Sequence, residues 1–311
     1  MKVRSATVLD LGKIEDMHRA TGAVFSAQPP SVRLWSLVSH TLSAFLPLGQ
    51  DTLLYVAEDG GRLVGFAQAS GSGSAVGLQP GTTTFQVLNL NVAEDADPDE
   101  VLPELLEHLA NRAVGRGALR LTVRVPLDDP LLRTIRMQGF RQYATENVLY
   151  AEDPKPLREM VLAGIRPARR KDDRVLHHLY RKVTPQGVSN VEAPTLREWK
   201  LLHQDAGDTY VVDRVEIVAW IGVERSSEPS RPHTLRFMAL PESGLAEDIA
   251  DHVLSLTGGG PAWSSLRHYD ANMIDALRGR GFSNLLTQAL LVKELALREP
   301  LREKGLVPSF G

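Results

Sequence analysis

The sequence contains no cysteine among its 311 residues. This excludes disulfide bonds, thiolate metal ligands, cysteine nucleophiles and any acyl group carried on a protein thiol. The absence fits a reducing compartment, so we expect a cytoplasmic protein. The opening residues, MKVRSATVLDLGKIED, carry charges within the first four positions and contain no long apolar core, which is not the pattern of a signal peptide.

The sequence also lacks long hydrophobic runs and an excess of either charge. No stretch approaches the ~18 uninterrupted apolar residues of a membrane-spanning helix. The 35 basic and 38 acidic residues give a formal net charge of −3, which offers no general electrostatic basis for binding nucleic acid or a membrane. Hydrophobic residues make up 43% of the chain, as in globular proteins with a sizeable core, and the length predicts two domains.

What the sequence does contain is an internal repeat. VRSATVLDLGKIEDMHR, which starts at Val3, aligns without a gap with IRPARRKDDRVLHHLYR, which starts at Ile165. Each segment predicts a short strand, an aspartate that caps a helix, and a helix with one apolar face. The two aspartates are Asp10 and Asp172.

The repeat continues to the end of each half. Hairpins are predicted at TLLYVAEDGGRLVGFAQA, with Gly60 and Gly61 in the turn, and at TYVVDRVEIVAWIGVE. The buried strands FQVLNLNV and TLRFMAL are each followed by a helix, a strand, a short helix ending in Gly-Phe and a last strand. We therefore predict two units at 1–152 and 163–297, followed by a tail at 298–311.

This order of elements resembles, twice over, the GNAT superfamily of acyl-CoA-dependent N-acyltransferases. The openings VRSATVLDL and IRPARRKDD, the first hairpin and the two Gly-Phe pairs carry the resemblance, which covers about residues 2–297. It implies an α/β (α+β) fold of two tandem GNAT-like domains, each a mixed twisted sheet flanked by helices. It also implies a V-shaped slot between two strands for acetyl-CoA, and a loop, Arg/Gln-x-x-Gly-x-Gly/Ala, whose backbone N–H groups hold the pyrophosphate.

The first half departs from this pattern in its acidic turn, AEDADPDE, at residues 93–100. Asp97 stands at the Arg/Gln position, Glu100 and Leu102 stand at the glycine positions, and Pro98 in the loop has no N–H group. Either Asp97 is the N-cap of a helix that begins at Pro98, or the carboxylates form a site for a cation or an amine. Each carboxylate near a pyrophosphate would cost on the order of several kcal/mol at an effective dielectric constant of 20, so we expect no acetyl-CoA in this half.

The second half keeps Ser243 and Gly244 in the corresponding turn, so backbone N–H groups are available there. Acetyl-CoA, if the protein binds it, is therefore expected in this half. The cofactor-binding residues that the resemblance implies are Ala239, Leu240, Ser243, Gly244 and Leu245.

The tyrosine that the resemblance implies as proton donor to the leaving thiolate is absent, because Leu277 occupies its position. Tyr269 and Asn272 lie nearby and are the candidate catalytic residues. The alternative for Tyr269 is a packed aromatic side chain at the end of a strand. No residue spacing predicts a metal site.

Two functions remain open. One is an N-acetyltransferase that moves an acyl group from acetyl-CoA to a small-molecule amine, with any activity in the C-terminal half. The other is a catalytically inactive GNAT-fold binding or scaffold protein that has lost CoA binding. A splayed gap between TLRFMAL and WSSLRHY would indicate a usable slot, and continuous pairing would indicate none. We expect a monomer with an internal pseudo-dimer, or a homodimer.

Overall fold

The computed structural model of the protein describes residues 1–21, 52–71, 84–158, 161–203, 206–228 and 231–295. The predicted tail at 298–311 lies outside them. The first half contains β1 (Lys2–Ser5), α1 (Leu11–Thr21), β2 (Thr52–Asp59), β3 (Arg62–Gly71), β4 (Thr84–Val92), α2 (Pro98–Gly115), β5 (Arg120–Pro126), α3 (Leu131–Met137) and β6 (Arg141–Ala151). The second half contains β7 (Ile165–Pro167), α4 (Asp173–Val183), α5 (Gln186–Glu192), α6 (Leu196–His203), β8 (Asp208–Asp213), β9 (Ile217–Glu224), β10 (His233–Ala239), α7 (Ala246–Thr257), β11 (Ala262–Arg267), α8 (Ala271–Arg278) and β12 (Ser283–Glu294).

The strands of the described residues form one twelve-stranded sheet in the order β1-β2-β3-β4-β5-β12-β6-β11-β10-β9-β8-β7. This order reads the same from either edge when each strand is replaced by its counterpart in the other half. The two halves exchange their last strands, since β12 pairs with β5 and β6 pairs with β11. A pseudo-twofold axis therefore passes between β6 and β12.

The hydrophobic core follows the strand exchange. In the first half, α2 buries Leu102, Leu105 and Leu109 against the sheet, and Leu291 of β12 joins that cluster. In the second half, α7 and α8 cover the sheet, and Leu149 of β6 joins their cluster. Each half thus completes its core with a strand of the other, so burial of apolar area ties the halves together.

The repeated aspartates form matching ion pairs. Arg4 donates to both carboxylate oxygens of Asp10 at 2.7 and 2.8 Å, and Arg166 donates to those of Asp172 at 2.8 and 3.1 Å. The predicted capping of the next helix by these side chains is wrong: Asp172 stands at the N-cap position of α4, but its side chain makes no cap hydrogen bond there. Each ends a short 3-10 turn and accepts a hydrogen bond from the backbone N–H three residues before it, because this position also brings the carboxylate to the arginine.

The acidic turn of the first half is a helix start, as the first of its two interpretations predicted. Asp97 is the N-cap of α2 and accepts a hydrogen bond from the N–H of Asp99 at 2.9 Å. Pro98 is the first residue of the helix, where its missing N–H costs nothing. Asp95 is paired with Arg62 of β3. Asp95 and Asp97 are therefore committed to local structure.

Candidate functional site

The parallel strands β10 and β11 separate along their length. Their last paired residues are Leu235 and Ser264, and residues 236–239 and 265–267 continue without pairing to each other. In the first half, β4 and β5 separate in the same way after four paired residues. The gap between TLRFMAL and WSSLRHY, which would indicate a usable slot, is present.

A cleft of about 130 Å³ lies where β10 and β11 separate, and we call it the first cleft. It brings together segments that are up to 90 residues apart, counted from Val183 to Met273. All seven candidate residues from the sequence line it: Ala239, Leu240, Ser243, Gly244, Leu245, Tyr269 and Asn272. Asn272 is exposed in the first turn of α8, and Tyr269 packs partly against Ala144, Val188 and Leu290.

The first cleft includes the N-terminus of α7. The N-cap residue Leu245 provides no side-chain hydrogen bond, so the first N–H groups of the helix, from Ala246 onward, are uncapped. Gly244 has a positive φ of 64°, and a Cβ atom there would meet open space. Uncapped N–H groups and the positive end of the helix dipole favour an anionic group, and the turn leaves room for one.

An acidic residue beside this N-terminus is neutralised. Glu247 accepts a hydrogen bond from Nη1 of Arg280 at 2.5 Å. Arg280 is almost fully buried and also donates from Nε to Asp251 at 2.7 Å. The start of α7 therefore differs from the start of α2, where the side chain of Asp97 accepts a hydrogen bond from the N–H of Asp99.

A second cleft of about 290 Å³ adjoins the first. The two share lining residues, among them Phe237 of β10, Leu266 of β11, and Tyr269 and Asp270 between β11 and α8. The first and second clefts therefore meet where β10 separates from β11. Tyr269 and Asp270 lie at their junction.

The second cleft is lined by a buried ionic network centred on Glu146 of β6. Its carboxylate, 1% exposed, accepts hydrogen bonds from Nε2 of Gln288 at 2.7 Å and from Nε of Arg124 at 3.2 Å. It is also paired with Nη1 of Arg267. Three partners compensate for the cost of burying this charge, which would be several kcal/mol without them.

A second carboxylate, that of Glu192 at the end of α5, extends this network. It accepts hydrogen bonds from Nη2 of Arg267 at 2.6 Å and from the hydroxyl of Tyr143 at 3.2 Å. Because Arg124 and Glu146, which line the second cleft, lie on β5 and β6, the first half supplies part of the wall of a cleft in the second half.

Burial shifts the proton affinities of the groups around the junction. It raises the pKa of Glu192 to about 7 and the pKa of Asp270 to about 6, while the neighbouring arginines act in the opposite direction. Asp270 accepts a hydrogen bond from the backbone N–H of Arg267 at 3.1 Å. Burial also raises the pKa of Tyr269, so its hydroxyl stays protonated at neutral pH. The junction therefore combines a carboxyl group that titrates near neutrality with a neutral phenol.

Sequence reasoning found the residues of the loop but missed those of the network. Asp270 directly follows the candidate Tyr269, and this adjacency was the available signal for it. Arg124 and Glu146 gave no signal, because their partners in the site lie up to 142 residues away along the chain. Within the described ranges, no group of three or more His, Asp or Glu could hold a metal ion.

Comparison with known proteins supports the fold. No protein-family model matches the sequence, and no curated protein matches it. A tandem GNAT protein from the clavulanic acid biosynthesis pathway shares 15% identity with a TM-score of 0.56, covering 95% of this chain and 98% of that one. A GCN5-related N-acetyltransferase from Sphaerobacter thermophilus shares 14% identity with a TM-score of 0.62, covering 94% and 95%. A putative acetyltransferase from Pyrococcus horikoshii shares 11% identity with a TM-score of 0.56, covering 96% and 91%.

The protein therefore has a tandem GNAT-like fold, which confirms the predicted fold class of mixed sheets flanked by helices. At these identities the similarity establishes the fold, and folds host many functions. In the described part of the chain, no helix is both long enough and apolar enough to cross a membrane.

Proposed function

We propose that the protein is an N-acetyltransferase that transfers an acetyl group from acetyl-CoA to a small-molecule amine, with its active site in the second half. The observation that carries the proposal is the junction of two clefts where β10 separates from β11. One cleft includes an uncapped helix N-terminus, which suits an anionic donor, and the other contains carboxylates, which suit an amine. The structural neighbours described as N-acetyltransferases support the reaction class.

The first cleft is the proposed donor site. The uncapped N–H groups of α7 would hold the pyrophosphate, and Ser243, Gly244 and Leu245 would form the turn around it. Ala239 and Leu240 would line the slot for the pantetheine arm. Acetyl-CoA supplies an acetyl thioester, which an amine can attack. Among the described residues of the first half, the corresponding turn does not suit phosphate, because Asp97 caps α2 and would repel it.

Two residues at the junction and one beside the first cleft are the proposed catalytic residues. Asp270, with a pKa of about 6, is ionised at neutral pH and can accept a proton from the amine. Tyr269, which stays protonated, can donate a proton to the leaving thiolate. Asn272 lies in the first turn of α8 beside the first cleft, where its amide can orient a polar group of the donor.

Calorimetric titration with acetyl-CoA tests the donor site. We expect saturable binding to the wild-type protein. The positive φ of Gly244 makes a matched pair of variants available, because Gly244→Ala and Gly244→Asp carry the same backbone cost and differ mainly in charge. Gly244→Ala should bind within about threefold of wild type, and Gly244→Asp at least about tenfold more weakly, since like charges a few ångströms apart repel by more than 1 kcal/mol.

Asp97→Ala is the control in the first half and should leave the affinity unchanged. Binding whose affinity changes in Asp97→Ala and stays the same in Gly244→Asp would move the donor site to the first half. No heat from the wild-type protein at millimolar acetyl-CoA would overturn the enzyme proposal. It would leave the inactive GNAT-fold binding protein as the function.

A further inference from the structure

We propose that the second cleft binds a small acceptor that carries a carboxylate as well as its amine, and that Arg124 of the first half anchors this carboxylate. That this molecule accepts an acetyl group rests on the proposed acetyltransferase function. Its binding does not rest on that function, because binding depends only on groups in the second cleft. The half that has no donor site would thus keep a role in the choice of substrate.

Arg124 has hydrogen-bonding capacity to spare. Its Nε donates to Glu146 at 3.2 Å, and within the described residues its two Nη atoms have no hydrogen-bond partner. The side chain is 18% exposed and lines both the second cleft and a smaller adjoining cavity. A guanidinium group with free Nη atoms suits a carboxylate, because its planar N–H pair matches the two oxygens.

Two further donors in the second cleft lack partners. The Oγ atom of Ser265 and the Nε atom of Arg267 are buried, and no group in the described ranges pairs with either. Both residues belong to the part of β11 from which β10 has separated. Buried polar groups are nearly always paired in proteins, so two orphan donors in one cleft indicate a ligand that accepts hydrogen bonds.

The charges of the second cleft match a ligand with one charge of each sign. The arginines that line it equal the carboxylates in number, and these residues are Arg124, Arg236, Arg267, Glu146, Glu192 and Asp270. A ligand with an amine alone would leave Arg124 and the two orphan donors unpaired. A ligand with a carboxylate alone would leave Asp270, at the junction, without a cation.

The size of the second cleft limits the ligand to a small molecule. Its volume of about 290 Å³ lies at the small end of the ~300–1,000 Å³ range of ligand pockets. This fits a molecule of amino-acid size. The inferred substrate class is therefore small amino acids, either α-amino acids or those with a longer spacing between the two groups.

The binding test uses matched pairs of probes without acetyl-CoA. The standard α-amino acids, β-alanine and 4-aminobutyrate are each compared with the amine that lacks the carboxylate, by calorimetry or ligand-observed NMR. We expect at least one amino acid to bind tenfold or more tightly than its amine. The proposal is overturned if every amine binds as well as its amino acid, or if none of the probes binds.

Variants of the two anchoring residues test where the carboxylate binds. Arg124→Gln should weaken the best probe at least tenfold and Arg124→Lys by less, while Arg133→Gln, at an exposed position of α3, should change nothing. Ser265→Ala should weaken binding severalfold without lowering the melting temperature, because its hydroxyl has no partner to lose.

A purely structural role for Arg124 gives the opposite result. Arg124→Gln and Ser265→Ala would then leave probe affinity unchanged, and that outcome overturns the proposal even if Arg124→Gln destabilises the protein. Acetyl-CoA binding separates the two proposals. If amino acids bind and acetyl-CoA does not, the acetyltransferase function fails and the ligand class stands. If acetyl-CoA binds and no amino acid does, the inferred ligand class fails and the acetyltransferase function stands.

Discussion

Gln288 and Glu146 face each other across the pseudo-twofold axis. They are partners in strand register, and Nε2 of Gln288 donates a hydrogen bond to Glu146 at 2.7 Å. They are also equivalent in the repeat, since each lies six residues after the phenylalanine that precedes its final strand, Phe140 or Phe282. At this point the two halves must differ, because two glutamates would place like charges together and two glutamines would leave Arg124 without the carboxylate with which it pairs.

The buried carboxylate of Glu146 should contribute strongly to stability. Glu146→Gln removes the charge that Arg124 and Arg267 share, and breaking a buried ion pair costs about 3–5 kcal/mol. We expect a loss of that size in the free energy of unfolding measured with urea. Glu294→Gln is the control, because its pair with Arg141 is more than half exposed and should change stability by less than about 1 kcal/mol. Equal effects of the two variants would contradict the prediction.

The repeated ion pairs should make the protein sensitive to acid. Hydrogen bonds from Arg4 and Arg166 hold the pKa values of Asp10 and Asp172 below their usual range. Below the unfolded-state pKa of about 3.9, the unfolded chain therefore binds more protons than the folded one, so stability falls as the pH falls.

The fall in unfolding free energy from pH 5 to pH 3 measures this effect. The double variant Asp10→Asn, Asp172→Asn should show a smaller fall and a lower stability at pH 7. Asp275→Asn, at an exposed side chain, should behave as the wild type. An unchanged pH dependence in the double variant would assign the acid sensitivity to other groups.

The acidic turn should stabilise the protein mainly through the helix cap that Asp97 provides. Asp97→Ala removes the N-cap of α2 and should cost about 0.5–2 kcal/mol in urea unfolding, whereas Asp97→Ser should recover most of the loss. Glu94→Ala, at an exposed position in the same turn, should have little effect. If Glu94→Ala lowered the free energy of unfolding as much as Asp97→Ala does, the turn would act through its total charge.

The acetyl-transfer rate should depend on the protonation of Asp270. We expect kcat/KM to fall as the pH drops through about 6, because the protonated carboxyl group cannot accept a proton from the amine. Asp270→Asn should lower the rate by roughly 10²–10⁴-fold and remove this part of the pH profile. Glu192→Gln should keep it.

A thiol reagent that detects released CoA gives a clean measurement, because the protein has no cysteine of its own. A midpoint near 7 that survives in Asp270→Asn and disappears in Glu192→Gln would make Glu192 the proton acceptor instead.

Much of the fold follows from short stretches of sequence. The turn at Gly60 and Gly61, which have φ values of 56° and 83°, and the Asp97 cap each depend on a few neighbouring residues. The loop at 239–245 could also be located from the sequence. It is continuous in the chain, and the repeat fixes its place. Correspondence between the halves, seen in Arg4 and Arg166, made the tandem GNAT-like fold predictable.

The sequence by itself thus determined the elements, their repetition and the loop beside the first cleft. Only the tertiary structure decided that β6 and β12 exchange places. The second cleft follows from this exchange. Strand pairing uses backbone groups that every residue has, so either final strand could pair with either half. The joint burial of side chains that are distant in sequence selects the exchanged pairing. Glu146 contacts Arg124, Arg267 and Gln288, which are 22, 121 and 142 residues away along the chain.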